Sequence, residues 1–258
     1  MNGLEQIVRW LHIFFGVIWI GLLYFFNFVN GPFAATMDAE TKKKVVPELM
    51  PRALFWFRWG AAWTWLTGIT LLGSIFYMGG NMFDGDAHWT WAAFSMLAVV
   101  WLGFVVYDVL FKSPLGKDLK IGGTVAFLLI ATVMVGMQNA GFSYRAYIIH
   151  AGAMFGTIMA ANVWFRIWPA QQKIIAAVKA GTAPDPALVA LAGARSKHNT
   201  YMSVPLLWAM INAHTTVFSG GNFGIPNRLG FVSMLLFVLV GWTIVTYCYK
   251  RAGQVKGF

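Results

Sequence analysis

Residues 121–139 read IGGTVAFLLIATVMVGMQN, a run of 19 residues without one charged side chain. The hydrocarbon core of a bilayer takes roughly 20 such residues as a helix. No water reaches that core to satisfy backbone N–H and C=O groups. An uninterrupted apolar run must therefore bond within itself as a helix, because a barrel strand is shorter and alternates apolar with polar residues. The two flanks of the run differ. Lys112, Lys117 and Lys120 stand before it, whereas Gln138 and Asn139 close it and the next basic residue is Arg145. Length thus points to the fold class, and the uneven flanks point to an orientation.

Six further stretches read the same way, at 7–30, 53–78, 89–111, 144–168, 201–219 and 229–249, making seven in all. Over 258 residues only 11% are charged and 59% are hydrophobic, too little charge to clothe a water-facing surface and the opposite of a disordered composition. The expected fold is all-α, a polytopic transmembrane helical bundle of seven spans forming a single integral membrane domain over residues 1–258. No internal repeat is evident, and the first stretch is too long and aromatic for a cleavable signal peptide.

The connections alternate in charge. Lys42, Lys43, Lys44 and Arg52 lie between the first and second stretches, and Lys112, Lys117 and Lys120 between the third and fourth. Lys173, Lys179, Arg195 and Lys197 lie between the fifth and sixth, and Lys250, Arg251 and Lys256 follow the seventh. The other connections hold Asp84 and Asp86 and few cations. Positively charged connections stay cytoplasmic, so the amino terminus is expected outside and the carboxyl terminus in the cytoplasm of a multi-pass bacterial inner (cytoplasmic) membrane protein. The net charge of +10 then faces anionic lipid headgroups. No basic stripe interleaved with stacking aromatics suggests nucleic-acid binding. The long segment 169–199 is expected as a cytoplasmic amphipathic loop, its first half a short helix ended by Gly181 before a turn at Pro184 and Pro186. Arg58 and Asp108 are expected as an ion pair toward the cytoplasmic ends of their stretches.

Three of the five histidines, His12, His150 and His214, fall at one expected depth, roughly 8–9 Å below the outer boundary at 1.5 Å per helical residue. An imidazole in lipid must satisfy two ring nitrogens, and a metal can take one of them. Neutral imidazoles on facing helices are a way to hold haem iron, and Gly16 and Gly156 leave room for a flat ring near His12 and His150. Non-covalent haem b is the expected cofactor, with His12, His150 and His214 as metal ligands. Copper, with thirteen methionines as soft donors, is the competing metal. His88 is read as a surface residue, and His198 as too far from the others to share a metal. Arg145, near the outer end of the fifth stretch, suits a haem propionate or a planar anionic substrate, or else snorkels at the interface. With Gln138 and Asn212 it is expected to line a polar outer pocket for substrate. The catalytic base stays unassigned. The single cysteine, Cys248, excludes an internal disulfide, a CxxC metal site and a CxxCH haem attachment in these residues.

RWLHIFFGVIWIGLLYFFNF at 9–28, NVWFRIWPAQQKIIAAVKAGTAPDPAL at 162–188 and KHNTYMSVPLLWAMINAH at 197–214 together resemble the membrane portion of bacterial cytochrome-c-linked urate hydroxylases, the urate oxidase amino-terminal domain family. The resemblance runs over nearly the whole chain, and the second and third motifs carry most of its specificity. It implies oxidation of urate at the membrane, with electrons passed to a periplasmic cytochrome c. Full-length members of that family continue through a further helix into a c-type haem domain. This sequence ends on the expected cytoplasmic side without CxxCH, which implies a separate cytochrome c as partner. The alternative is a non-catalytic haem-binding or structural subunit of a larger respiratory or photosynthetic membrane complex.

Overall fold

The structure, a computed structural model, describes residues 3–255 apart from 216, 219–225 and 227–228. Eleven α-helices run through the described residues. They are α1 (Gly3–Tyr24), α2 (Gly31–Thr36), α3 (Ala39–Leu72), α4 (Trp91–Trp101), α5 (Gly103–Leu110) and α6 (Pro114–Lys117). α7 (Leu119–Asn139), α8 (Tyr144–Asn162), α9 (Trp168–Ala180), α10 (Pro186–Asn212) and α11 (Phe231–Ala252) complete the set. Three π-helical segments, Phe25–Asn30, Gly73–Tyr77 and Val163–Ile167, continue α1, α3 and α8. No strand occurs among the described residues, and one isolated antiparallel bridge joins Phe83 to Phe142. The all-α expectation holds.

Local chemistry sets the helix ends. Asp38 precedes α3 and accepts from the Thr41 backbone N–H at 2.8 Å and from its hydroxyl at 3.2 Å. Thr90 caps α4 through the Ala93 N–H, and Asp118 caps α7 through the N–H groups of Lys120 and Ile121. Each supplies an acceptor to first-turn donors that have none within the helix. Gly181 closes α9 at φ 75°, a left-handed conformation that favours glycine, as expected from the sequence.

Each of the seven apolar stretches is helical over most of its described residues, with differences in extent, the second beginning at Ala39 instead of 53 and the first running on through Thr36. The fifth stretch does not stop at 168 but runs unbroken through α9, since Pro169 occupies a first-turn position where it lacks no needed N–H. The second half of the expected loop is helix: α10 starts at Pro186. The sixth stretch ends at Asn212 instead of 219, ahead of two β-branched threonines and Gly220–Gly221 in the sequence. The third stretch bends by 52° between α4 and α5, around Leu102 and Gly103. Four helical runs are long and apolar enough to cross a membrane, or five if the bent pair α4–α5 is one span. α3 and α10 are not in that set. The apolar half of α3 carries Arg58, four tryptophans and three threonines, which lower its hydropathy, and Arg195, Lys197, His198 and Asn199 interrupt α10.

The chain divides into two compact units. One comprises Met1–Gly68, Met159–Ser203 and Trp242–Phe258; the other comprises Ile69–Ile158 and Val204–Gly241. The first is built on Trp19, Leu23, Leu54, Phe57, Ala61, Met159 and Val163. The second buries Val100, Met134, Met137, Ile148, His150, Met234 and Val238 almost completely. Close helix approach in an apolar solvent rests on small residues. In the first unit Gly60 does this, since a Cβ there would stand 3.2 Å from the Trp19 backbone nitrogen.

Candidate functional site

His12 projects from α1 toward α3 within the first unit. Its Nδ1 lies 2.9 Å from the Thr64 carbonyl and 3.1 Å from Thr67 Oγ1. A carbonyl only accepts, so Nδ1 carries the proton and Nε2 keeps its lone pair. The Thr67 hydroxyl reaches the Trp63 carbonyl at 2.6 Å, which leaves its oxygen free to share the His12 proton. Nε2 makes no hydrogen bond among the described residues. A ring whose one N–H is held by a backbone carbonyl while the other nitrogen stays open is the arrangement in which histidine binds metals.

His150 belongs to α8 in the second unit and is fully buried. Its Nδ1 donates to the Ala146 carbonyl at 2.7 Å, which fixes the same tautomer as in His12. Here Nε2 is taken: the Tyr77 hydroxyl lies 3.0 Å away and donates to it. Tyr77 in turn is approached by Trp101 Nε1 at 3.4 Å and stacks on Trp89 at 6.2 Å between ring centroids. Phe76 and Phe142 present their edges to the imidazole. Both nitrogens of His150 are satisfied by the protein itself, so ligating a metal through Nε2 requires the Tyr77 hydroxyl to leave it.

His214 follows the end of α10 in an exposed turn, where it is not on a helix as expected. Arg145 stands in the first turn of α8, with Nε donating to the Ala213 carbonyl at 2.7 Å. Asn212, 3% exposed, donates to the Tyr144 hydroxyl at 2.6 Å, and that hydroxyl lies 3.2 Å from Ser233 Oγ. Arg145 and Asn212 are thus brought together where the start of α8 meets the end of α10. Gln138 is half-buried in the last turn of α7, its side-chain oxygen without a hydrogen bond. His88 is exposed, as expected. Among the described residues no group of three or more His, Cys, Asp or Glu is arranged to hold a metal ion.

Arg58 and Asp108, expected as an ion pair, fall in different units, and each has partners within its own. Asp108 is held by Lys112, one helical turn on, at 2.6 Å. Arg58 instead lies over the Trp168 ring at 4.0 Å, with Phe55 and Trp164 each at 5.8 Å. Aromatic faces, not a carboxylate, receive this cation.

Several residues that organise these sites were not singled out from sequence. Tyr77 and Trp101 are two of the many aromatics within the second and third stretches, and nothing in their spacing sets them apart. Asn162 opens the second quoted motif and Asn199 is the third residue of the third motif. They are joined directly, Asn162 Nδ2 donating to Asn199 Oδ1 at 2.9 Å, while Asn199 Nδ2 donates to the Met159 carbonyl at 3.0 Å. Both are fully buried. Paired amides within otherwise apolar helices were the available signal.

A protein family described as urate oxidase N-terminal matches residues 37–256. The match takes in the motifs at 162–188 and 197–214, together with Arg145 and His150, and leaves out the stretch at 9–28 that contains His12. No curated protein and no solved structure matches the chain.

Proposed function

Because the chain belongs to the urate oxidase N-terminal family, we propose that it is an integral membrane redox protein that oxidises urate and passes the electrons to a separate periplasmic cytochrome c. In this reading the seven helical stretches span the bacterial inner membrane with the amino terminus outside. Non-covalent haem b supplies a one-electron carrier between a two-electron substrate and a one-electron acceptor. The observation that supports the cofactor is the state of His12: Nδ1–H anchored on the Thr64 carbonyl, Nε2 open. His12 is therefore the ligand assigned here, and His150 is left to Tyr77.

Arg145 is the residue assigned to the anionic substrate. The Ala213 carbonyl fixes its Nε, so the guanidinium plane is oriented while its terminal amino groups stay available to a planar anion. Asn212 and the Tyr144 hydroxyl hold the adjoining backbone in place. Gln138, its side-chain oxygen buried and without a hydrogen bond, is the further residue assigned to the substrate.

Absorption spectra of the purified protein, pyridine haemochrome assay and anaerobic addition of urate test the reading. The expected result is a bound haem, reduced by urate, that His12→Ala removes. An unchanged spectrum on adding urate rejects the substrate, and full haem retention in His12→Ala rejects the ligand.

A further inference from the structure

We infer that Tyr77 and His150 form a redox-active pair that carries an oxidising equivalent as a tyrosyl radical, the phenol proton being parked on His150 Nε2. The inference goes beyond the urate reading and does not depend on the haem. Two departures from regular helix converge on the pair. Tyr77 is the last residue of the π-helical segment Gly73–Tyr77, and Trp101 is the last residue before the 52° bend between α4 and α5. π-Helical turns inside α-helices are frequent at functional sites, and irregular backbone in apolar surroundings is tolerated where it is buried in protein. Both irregularities put a side chain on the same hydroxyl, Tyr77 by carrying it and Trp101 by reaching it at 3.4 Å.

The chemistry follows from the hydrogen bonds. One electron leaves the phenol for a one-electron oxidant of the metal-complex class. The O–H bond breaks, and its proton forms an N–H bond on Nε2 across the 3.0 Å contact. The products are a neutral phenoxyl radical and an imidazolium, and an electron returned from a reductant reverses both changes. The Nδ1–H bond to the Ala146 carbonyl, already 2.7 Å, becomes charge-assisted when the ring turns cationic, so the proton has a prepared seat. The setting favours electron relay over acid–base work on a substrate. His150 is 0% exposed and ringed by Phe76, Phe142 and Tyr77, which leaves no path for a substrate atom to reach it. An electron needs no such path, and the proton moves only within the pair. Trp89, stacked on Tyr77, is the aromatic neighbour through which the equivalent enters or leaves.

The test uses the full chain in lipid nanodiscs, oxidised by flash-generated trivalent ruthenium polypyridyl and followed by electron paramagnetic resonance. Protein labelled with 15N-histidine is expected to give a tyrosyl signal with a resolved coupling to histidine nitrogen. Tyr77→Phe is expected to abolish that coupled component and leave only signals from the other tyrosines. His150→Leu is expected to slow formation of the Tyr77 radical by about 100-fold, the contribution of a positioned proton acceptor. A wild-type protein without a nitrogen-coupled tyrosyl signal overturns the inference without recourse to any variant. So does a coupled signal that survives Tyr77→Phe, or an unchanged rate in His150→Leu.

Discussion

The imidazole of His12 rests on the bare Cα of Gly68: a Cβ built there would come within 2.9 Å of Cε1, between the two ring nitrogens. The ring is rigid, so an added methyl has to push it away from the Thr64 carbonyl one turn earlier. Gly68→Ala is expected to destabilise the fold by about 1–3 kcal/mol, the usual range for overpacking, and to lower haem content toward that of His12→Ala. Thermal unfolding and haemochrome assay on the same preparations check both. A fully haem-loaded Gly68→Ala protein removes the steric link between the two residues.

The amide pair Asn162–Asn199 ties together the two motifs that carried the family resemblance. Asn199→Ala leaves the Asn162 amide without this acceptor and the Met159 carbonyl without this donor, both in a fully buried site. A loss of about 1–3 kcal/mol is expected, as for other buried groups deprived of a partner. Asn199→Asp is expected to be worse, because it sets an acceptor against the Met159 carbonyl and buries charge. Thermal unfolding in detergent measures the order, and equal stability of Asn199→Ala and wild type contradicts it.

These cases show what was legible in the sequence and why the rest was not. Apolar runs, three of them uncharged like 121–139 and four carrying one or two charges, located the seven helical stretches, because apolar length is a property of consecutive residues. The bend at Leu102 and the π-helical turn ending at Tyr77 left only weak traces, a glycine each at 103 and 73. Ring chemistry marked His12 and His150 as candidates. Which nitrogen is open depends on partners that spacing does not reveal: Thr64 lies 52 residues from His12, and Tyr77 lies 73 residues from His150. His214 was misplaced for a different reason, since hydropathy continued past Asn212 while backbone preference ended the helix there.

His198 makes stability depend on pH. Burial, reinforced by the positive charges of Arg195 and Lys197, pulls its imidazole from 6.5 down to about 4. The unfolded chain therefore takes up a proton near the upper value and the folded chain only near the lower one. Between them the unfolded state binds more protons, so stability falls as pH drops from 6.5 toward 4 and is insensitive to this group above and below that window. A loss on the order of 2 kcal/mol is expected across it. His198→Gln is expected to flatten that part of the stability profile, measured by thermal unfolding at a series of pH values. A variant with the wild-type slope shows that other groups set it.

Arg58 tests how a cation is accommodated on this chain without a carboxylate. No acid partners it among the described residues, and its Nε is buried without a hydrogen bond. What it has is the Trp168 face at 4.0 Å, and Trp164, whose Nε1 donates to the Arg58 carbonyl at 3.1 Å and so holds that indole beside the same turn of α3. If the ring faces replace a counter-ion, Arg58 and Trp168 should be energetically coupled. A double-mutant cycle of Arg58→Gln and Trp168→Leu is expected to give a coupling of about 1–2 kcal/mol, toward the desolvated end of the range for such contacts. Arg58→Lys should keep only part of it, because an ammonium lacks the flat surface that guanidinium stacks on indole. Additive single-mutant effects mean that Trp168 merely borders the guanidinium, and that solvent or lipid headgroups neutralise it.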